Sequence, residues 1–274
     1  MRIAQIAPIA ERVPPEKYGG TERVISTLTE QLVKRGHEVT LFASGDSKTA
    51  AKLQSVFPVS LRQAQVQDLY GFNIPSMKNM GLAYAMHGQF DIIHDHNPHL
   101  SLPTANICPT PVVATWHGPY FPEVVEYFRL FPHVNLVSIS QSQALAAPTL
   151  QFCANVYNGL VLDQSPFSAE SQGYLLYVGR IDREKGTHVA IDAAVRLKKK
   201  LIIAGKLDDA VPHIREYYVR YVRPRLKRHA DLVTWIGEVG EAERNDLMKN
   251  SLCLLHPISW PEPFGLTLIE SMAC

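Results

Sequence analysis

Short apolar runs alternate with helix-patterned stretches from one end of this chain to the other, and that alternation admits few folds. An apolar run too short for a helix reads as a strand buried on both faces, and repeated strand–helix–strand units build a parallel sheet. Strands are predicted near residues 2–7, 38–43, 90–94, 111–115 and 134–138. They are predicted again at Tyr174-Leu-Leu-Tyr-Val178, Leu201-Ile-Ile-Ala204, Leu232-Val-Thr-Trp-Ile236 and Leu252 to His256. The clearest helix runs from Thr21 to Arg35, where Val24, Leu28, Gln31 and Leu32 share a face and Gly36 supplies a stop. Between the two groups of strands, Gly159 to Gly173 is polar, carries Pro166 and several serines, and reads as a linker. With 274 residues, 46% of them hydrophobic, the chain can fill two cores. The expected architecture is α/β, with two similar Rossmann-like domains at 1–163 and 164–274.

Charge and composition narrow the function. Lys and Arg number 27 against 26 Asp and Glu, and no base-reading motif occurs, so a nucleic-acid partner is not expected. Cys108, Cys153, Cys253 and Cys274 have no paired spacing, and three lie in or beside apolar runs, which predicts reduced core thiols in a cytoplasmic protein. The first residues form a short strand rather than a secretion signal, and no apolar run is long enough to span a bilayer.

Two glycine turns open helices. Tyr18-Gly19-Gly20-Thr21-Glu22 follows the first strand after a long loop, and its backbone amides at a helix start suit a phosphate group. The same residues read equally well as a plain helix start. The three spaced glycines of a dinucleotide fingerprint are missing from it, which disfavours a nicotinamide enzyme. Tyr177-Val-Gly179-Arg180-Ile-Asp182-Arg-Glu-Lys185-Gly186 joins a strand to a helix and sets two cations around a tight turn. A planar guanidinium at Arg180 and a compact ammonium at Lys185 suit the several oxygens of a diphosphate. The plainer reading is a solvated turn holding an Arg180–Asp182 or Glu184–Lys185 pair.

The last stretch carries two carboxylates. Glu262, before Pro263, is expected in a loop, and Glu270 in the helix that follows Phe264 and Gly265. Both then face the space beyond a strand's carboxyl end, where open parallel sheets bind ligands. Eight helical positions separate α-carbons by roughly 12 Å. Glycoside hydrolysis needs carboxyl groups about 5–9.5 Å apart, so two grips on one elongated ligand fit better. The helix stops at Cys274 a few residues after Glu270, so the chain reads as a piece of a longer protein with an incomplete second domain.

Two further clusters are weaker. Asp91-Ile-Ile-His94-Asp95-His96-Asn97-Pro98-His99 invites a metal, but His94 and His96 are read on opposite faces of the continuing strand and no cysteine is near. No metal site is expected, and a place along the acceptor side suits these histidines better. Arg220, Arg223, Arg225 and Lys227, interleaved with tyrosines, read as a surface helix broken at Pro224. A basic patch on an anionic membrane surface is the second reading.

Taken in order, several motifs resemble glycosyltransferase family 4. They are Gly19-Gly20-Thr-Glu-Arg-Val, Trp116-His117-Gly118, Val137-Ser-Ile-Ser140, Asn158-Gly159, Val178-Gly-Arg180 with Glu184-Lys185-Gly186, and Glu262-Pro-Phe-Gly followed by Glu270. The resemblance runs through nearly the whole chain. It implies a GT-B fold, with two domains facing a cleft, and transfer of a sugar from a nucleotide-diphosphate donor to an acceptor hydroxyl with retention. It further implies that Arg180 and Lys185 hold the diphosphate, Glu262 the sugar hydroxyls and Glu270 the ribose. His117 would lie beside the sugar, the Gly19–Gly20 loop near the phosphates, and Phe264 and Gly265 along the donor. No cofactor or metal is implied. The acceptor is a saccharide, a lipid-linked group or a small molecule, and the protein is cytoplasmic or peripheral to the inner face of the membrane. The alternatives are a non-catalytic nucleotide-sugar-binding module and a sugar-nucleotide epimerase of the same fold.

Overall fold

A computed structural model describes residues 1–66 and 69–274 as two compact units, Met1–Gly159 and Leu160–Cys274. The first unit runs β1 (Arg2–Ile6), α1 (Gly20–Lys34), β2 (Glu38–Phe42), β3 (Lys52–Gln54), α2 (Leu69–Ala85), β4 (Ile92–Asp95), α3 (Pro98–Ala105), β5 (Val112–Thr115), α4 (Pro122–Arg129), β6 (Asn135–Ser138), α5 (Gln141–Leu145) and β7 (Phe152–Asn155). The second runs β8 (Leu175–Val178), α6 (Thr187–Leu197), β9 (Leu201–Ala204), α7 (Pro212–Tyr217), α8 (Arg223–Arg228), β10 (Val233–Gly237), α9 (Glu241–Asn250), β11 (Cys253–Leu254) and α10 (Leu266–Ala273).

Both sheets are parallel throughout, in the orders β3-β2-β1-β4-β5-β6-β7 and β10-β9-β8-β11. Each therefore reverses direction beside its first strand, between β1 and β4 in one unit and between β8 and β11 in the other. At such a switch point neighbouring loops diverge and leave a crevice at the strands' carboxyl ends.

The apolar runs explain the layers. Along β8, Leu175 and Tyr177 join a cluster with Ile191, Leu201, Ile203, Tyr217 and Val222, while Tyr174 and Leu176 join Met248 and Cys274. Alternate residues thus bury opposite faces under different helices, and so the strand reads as continuously apolar. In the first unit Ala4, Ile6, Ile93, Ala114 and Leu136 pack with Tyr84, Leu102 and Phe128.

Several expectations need correction. Cys253 and Leu252 are exposed, so Leu252 to His256 is not a buried strand. It is two residues of sheet, β11, which among the described residues pairs only with β8. All four cysteines are free, but only Cys274 is buried, and Cys153 and Cys253 are exposed. The basic stretch is not broken at Pro224. A π-helical segment, Tyr218–Val222, links α7 to α8, and Pro224 falls in the first turn of α8, where its missing N–H is tolerated.

Candidate active site

The second unit's switch point gathers Arg180, Lys185 and Glu262. Gly179 follows β8, and the loop it opens is pinned from beneath by Tyr177, which is 2% exposed. Its hydroxyl donates to the Arg180 carbonyl at 2.9 Å, lies 3.3 Å from the Lys185 carbonyl, and accepts from Thr187 Oγ1 at 3.1 Å. One buried phenol therefore ties both ends of the turn to the core. Gly186 caps α6 with φ +71, and a Cβ there would overlap the Pro257 carbonyl oxygen. Only glycine combines that left-handed conformation with so close an approach.

Arg180 Nη2 lies 3.2 Å from Asp182 Oδ2, so the ion pair expected of a plain turn does form. The other expected pair does not, because Lys185 reaches across to Glu262, with Nζ 2.6 Å from Oε2. Trp260 completes the group. Its Nε1 donates to the same Glu262 oxygen at 2.9 Å, and the Lys185 ammonium sits 4.2 Å from its ring centroid. The turn after β11 and the turn after β8 are thus joined by a cation, a carboxylate and an aromatic face. Glu270, on α10, is buried and lies 3.3 Å from the buried Arg244 of α9 rather than with this group. Pro263 and Gly265 are buried, and Phe264 is half-buried between Glu262 and α10.

In the first unit Gly19 (φ +140) caps α1, with no side-chain hydrogen bond at the cap. A Cβ on Gly19 would stand 2.7 Å from Pro15 and 3.0 Å from the Glu22 carboxylate. Burial raises the Glu22 carboxyl to about 7 against the bond it accepts from its own backbone N–H. Gly20 lies in the first turn of α1, and a Cβ on it would meet nothing within 4 Å.

His117 stands just beyond β5, Nε2 3.0 Å from His96 Nδ1, and His96 Nε2 lies 2.8 Å from Gln5 Oε1. The His94 and His96 rings are 4.0 Å apart, so these two do not face opposite ways. Residues two apart on a strand share a face, and that period decides the matter. Desolvation lowers His94 to about 4 and His117 to about 3, and pushes His96 well below the usual imidazole range. The three rings line one end of a cavity of about 500 Å³, walled by the sheet and by Val24, Leu28 and Gln31 of α1. Among the described residues no group of three or more His, Cys, Asp or Glu is arranged to hold a metal ion.

Comparison with known proteins covers both units. Residues 18–149 match the family described as Glycosyltransferase Family 4, and residues 162–274 match Glycosyl transferases group 1. Between them the two family models cover nearly the whole chain, and it is a glycosyltransferase. Among its relatives is the phosphatidyl-myo-inositol mannosyltransferase of Mycobacterium tuberculosis, 25% identical over an alignment of 306 positions that covers 100% of this chain and 75% of the relative. The glycogen synthase of the same organism is 25% identical over 98% of this chain and 76% of its own length. In fold the chain resembles sucrose-phosphate synthase from Thermosynechococcus elongatus, with a TM-score of 0.71 and 18% identity, covering 100% of this chain and 79% of that one. The chain is thus a nucleotide-sugar glycosyltransferase with the α/β architecture of the GT-B enzymes.

Several residues around this glycosyltransferase's sites were not picked out by sequence motifs. Tyr177 reads as a strand residue and Trp260 as a turn residue, and nothing in a linear motif shows where a hydroxyl or an indole N–H points. Gln5 is the clearer signal in retrospect. An amide inside the apolar first strand needs a partner, and it is fully buried. Glu22, also buried, sits inside a motif read only for its glycines.

Proposed function

We propose that the chain transfers a sugar from a nucleoside-diphosphate sugar to an acceptor hydroxyl with retention at the anomeric carbon, using no metal and no other cofactor. The observation that carries this reading is the pair of cations, Arg180 and Lys185, on one buried-anchored turn at the second sheet's switch point. Lys185 there touches the carboxylate of Glu262. A departing diphosphate needs positive charge fixed in advance, and two preorganised cations supply what a divalent metal would otherwise supply.

In this reading the diphosphate contacts Arg180 and Lys185, and Lys185 exchanges its bond to Glu262 for one to phosphate. Glu262 then accepts from hydroxyls of the transferred sugar. Glu270 grips the ribose, with Arg244 holding its carboxylate in place. Gly19 and Gly20 give room and backbone amides for phosphate oxygens, Phe264 and Gly265 flank the donor, and His117 stands against the sugar. As the bond from the anomeric carbon to the phosphate oxygen breaks, the acceptor oxygen bonds to that carbon on the same face. The acceptor's proton passes to the leaving phosphate, so no protein base is consumed.

The relatives' names favour a lipid-linked acceptor, which agrees with contact at a membrane surface. No helix among the described residues is long and apolar enough to cross one. Offering a lipid extract and soluble saccharides in parallel to a labelled donor assigns the acceptor class. The donor site itself is tested by Arg180→Ala and Lys185→Ala. Each is expected to cut turnover by about 2–4 kcal/mol of transition-state stabilisation, the range for one preorganised donor. Near-normal turnover in both would remove the diphosphate assignment.

A further inference from the structure

We infer that Gln5 and His96 act as a hydrogen-bonded relay that fixes which ring nitrogen of His117 carries the proton, leaving Nδ1 as a bare acceptor for a hydroxyl of the transferred sugar. The inference rests on the reading that places His117 beside that sugar. Gln5 lies on β1, His96 one residue past β4 and His117 two past β5, and these are adjacent strands on the carboxyl-end side of the first sheet. The relay therefore spans the switch point: Gln5 is held in strand register, the His96 N–H just past β4 donates to the Ile6 carbonyl at 3.0 Å, and His117 follows two residues after β5.

The direction of the bonds follows from counting protons. A neutral imidazole has one donor and one acceptor nitrogen. Gln5 Oε1, 2.8 Å from His96 Nε2, only accepts, so the His96 proton is on Nε2 and its Nδ1 has a lone pair. That Nδ1 lies 3.0 Å from His117 Nε2, which must then carry the His117 proton. Nδ1 of His117 is left with its lone pair outward. Gln5 is fully buried and His96 only 4% exposed, so water does not scramble the chain. The rings of His94 and His117 lie 4.0 and 5.3 Å from that of His96, and a positive charge on any one would meet the others across a desolvated gap. All three are accordingly held neutral by burial.

The consequence for chemistry is directional. A hydroxyl that donates to His117 Nδ1 keeps its oxygen electron-rich, which favours the positive charge that grows at a neighbouring ring carbon as the leaving group departs. A ring locked in the other tautomer would donate to the same hydroxyl and withdraw that density. Turning the Gln5 amide over would reverse every bond in the series, so Gln5 and His96 are positioning residues whose effect is read at His117.

The test is long-range nitrogen–proton NMR on the whole chain labelled with 15N-histidine. Wild type is expected to show His96 and His117 each as a single Nε2–H tautomer. Gln5→Met is expected to give mixed tautomers at His117 and to lower kcat on the order of tenfold, the lower end of what outer partners of functional histidines contribute, with donor KM little changed. Gln5→Glu, which keeps an acceptor facing His96, is expected to restore the single tautomer even if Gln5→Met folds poorly. An Nδ1–H at His117 in wild type, or tautomers unmoved by Gln5→Met, overturns the relay. If the relay behaves as stated but His117→Ala transfers sugar at the wild-type rate, the contact with sugar is wrong and the relay stands.

Discussion

Glu22 shows how far one buried residue is set by its surroundings. It sits in the first turn of α1, where the helix dipole and its own N–H favour the carboxylate, yet burial beside Gly19 and Pro15 outweighs both and raises it to about 7. A carboxyl raised in the folded state contributes stability that is full below its unfolded value of 4.5 and is lost as pH climbs through 7. The buried histidines of the same unit act with the opposite sign. Their folded values are lowered, so their contribution is present above 6.5 and is lost as pH falls toward 4. Comparing wild type with Glu22→Gln isolates the carboxyl. The variant is expected to gain on wild type between pH 5 and 8 by on the order of 2–3 kcal/mol, read from denaturant unfolding at each pH. A constant gap across that range would mean that Glu22 ionises as freely folded as unfolded. The site was legible in the sequence where charge and glycine coincide, as at Arg180, Lys185 and Glu262. It was not legible at Tyr177, Trp260 and Gln5, whose roles depend on the direction of one polar atom on an otherwise packed side chain, and His96 was read only as one of a histidine cluster on the acceptor side.

Among elements, the decisive one is the turn from Gly179 to Gly186, because two independent constraints hold it. Tyr177 fastens it from below, and Gly186 lets it run against the Pro257 carbonyl and into α6. Gly186→Ala adds a methyl group with no room and a φ that alanine resists. It is expected to lower stability by more than the 0.4–1 kcal/mol that such a change yields favourably elsewhere, and to weaken nucleoside-diphosphate binding in calorimetry. Unchanged binding would show that the turn need not keep this shape. Strands with apolar runs were readable because they are buried on both faces. Lys52–Gln54 and Phe152–Asn155 were not, because each is a partly exposed edge strand with little apolar periodicity. The π-helical join ahead of Pro224 was hidden for a different reason. Proline marks where an N–H is missing, and whether the helix stops or widens there depends on Tyr217 and Val222 packing into the core.

Over the whole molecule the chemistry divides between units. Residues 160–274 hold the cations and carboxylates expected of a diphosphate-sugar site, and residues 1–159 hold the glycine turn and the neutral histidine series. The βαβ alternation made the parallel architecture of both units legible, because short apolar runs and helix-patterned stretches follow one another through both, with Gly36 closing the clearest helix. What alternation does not encode is the strand order, and that order places the loops after β1 and β4, and after β8 and β11, side by side. The central claim is retaining transfer from a nucleotide sugar, and it can be measured without knowing the acceptor. The chain is incubated with the donor that raises its melting temperature most in a nucleotide-sugar screen, and the slow release of free sugar to water is followed by proton NMR before mutarotation. The first-formed sugar is expected to have the donor's own anomeric configuration, with nucleoside diphosphate released in equal amount and the signal lost in Lys185→Ala. Release of the opposite anomer, or conversion to a different nucleotide sugar with no diphosphate set free, would contradict the account.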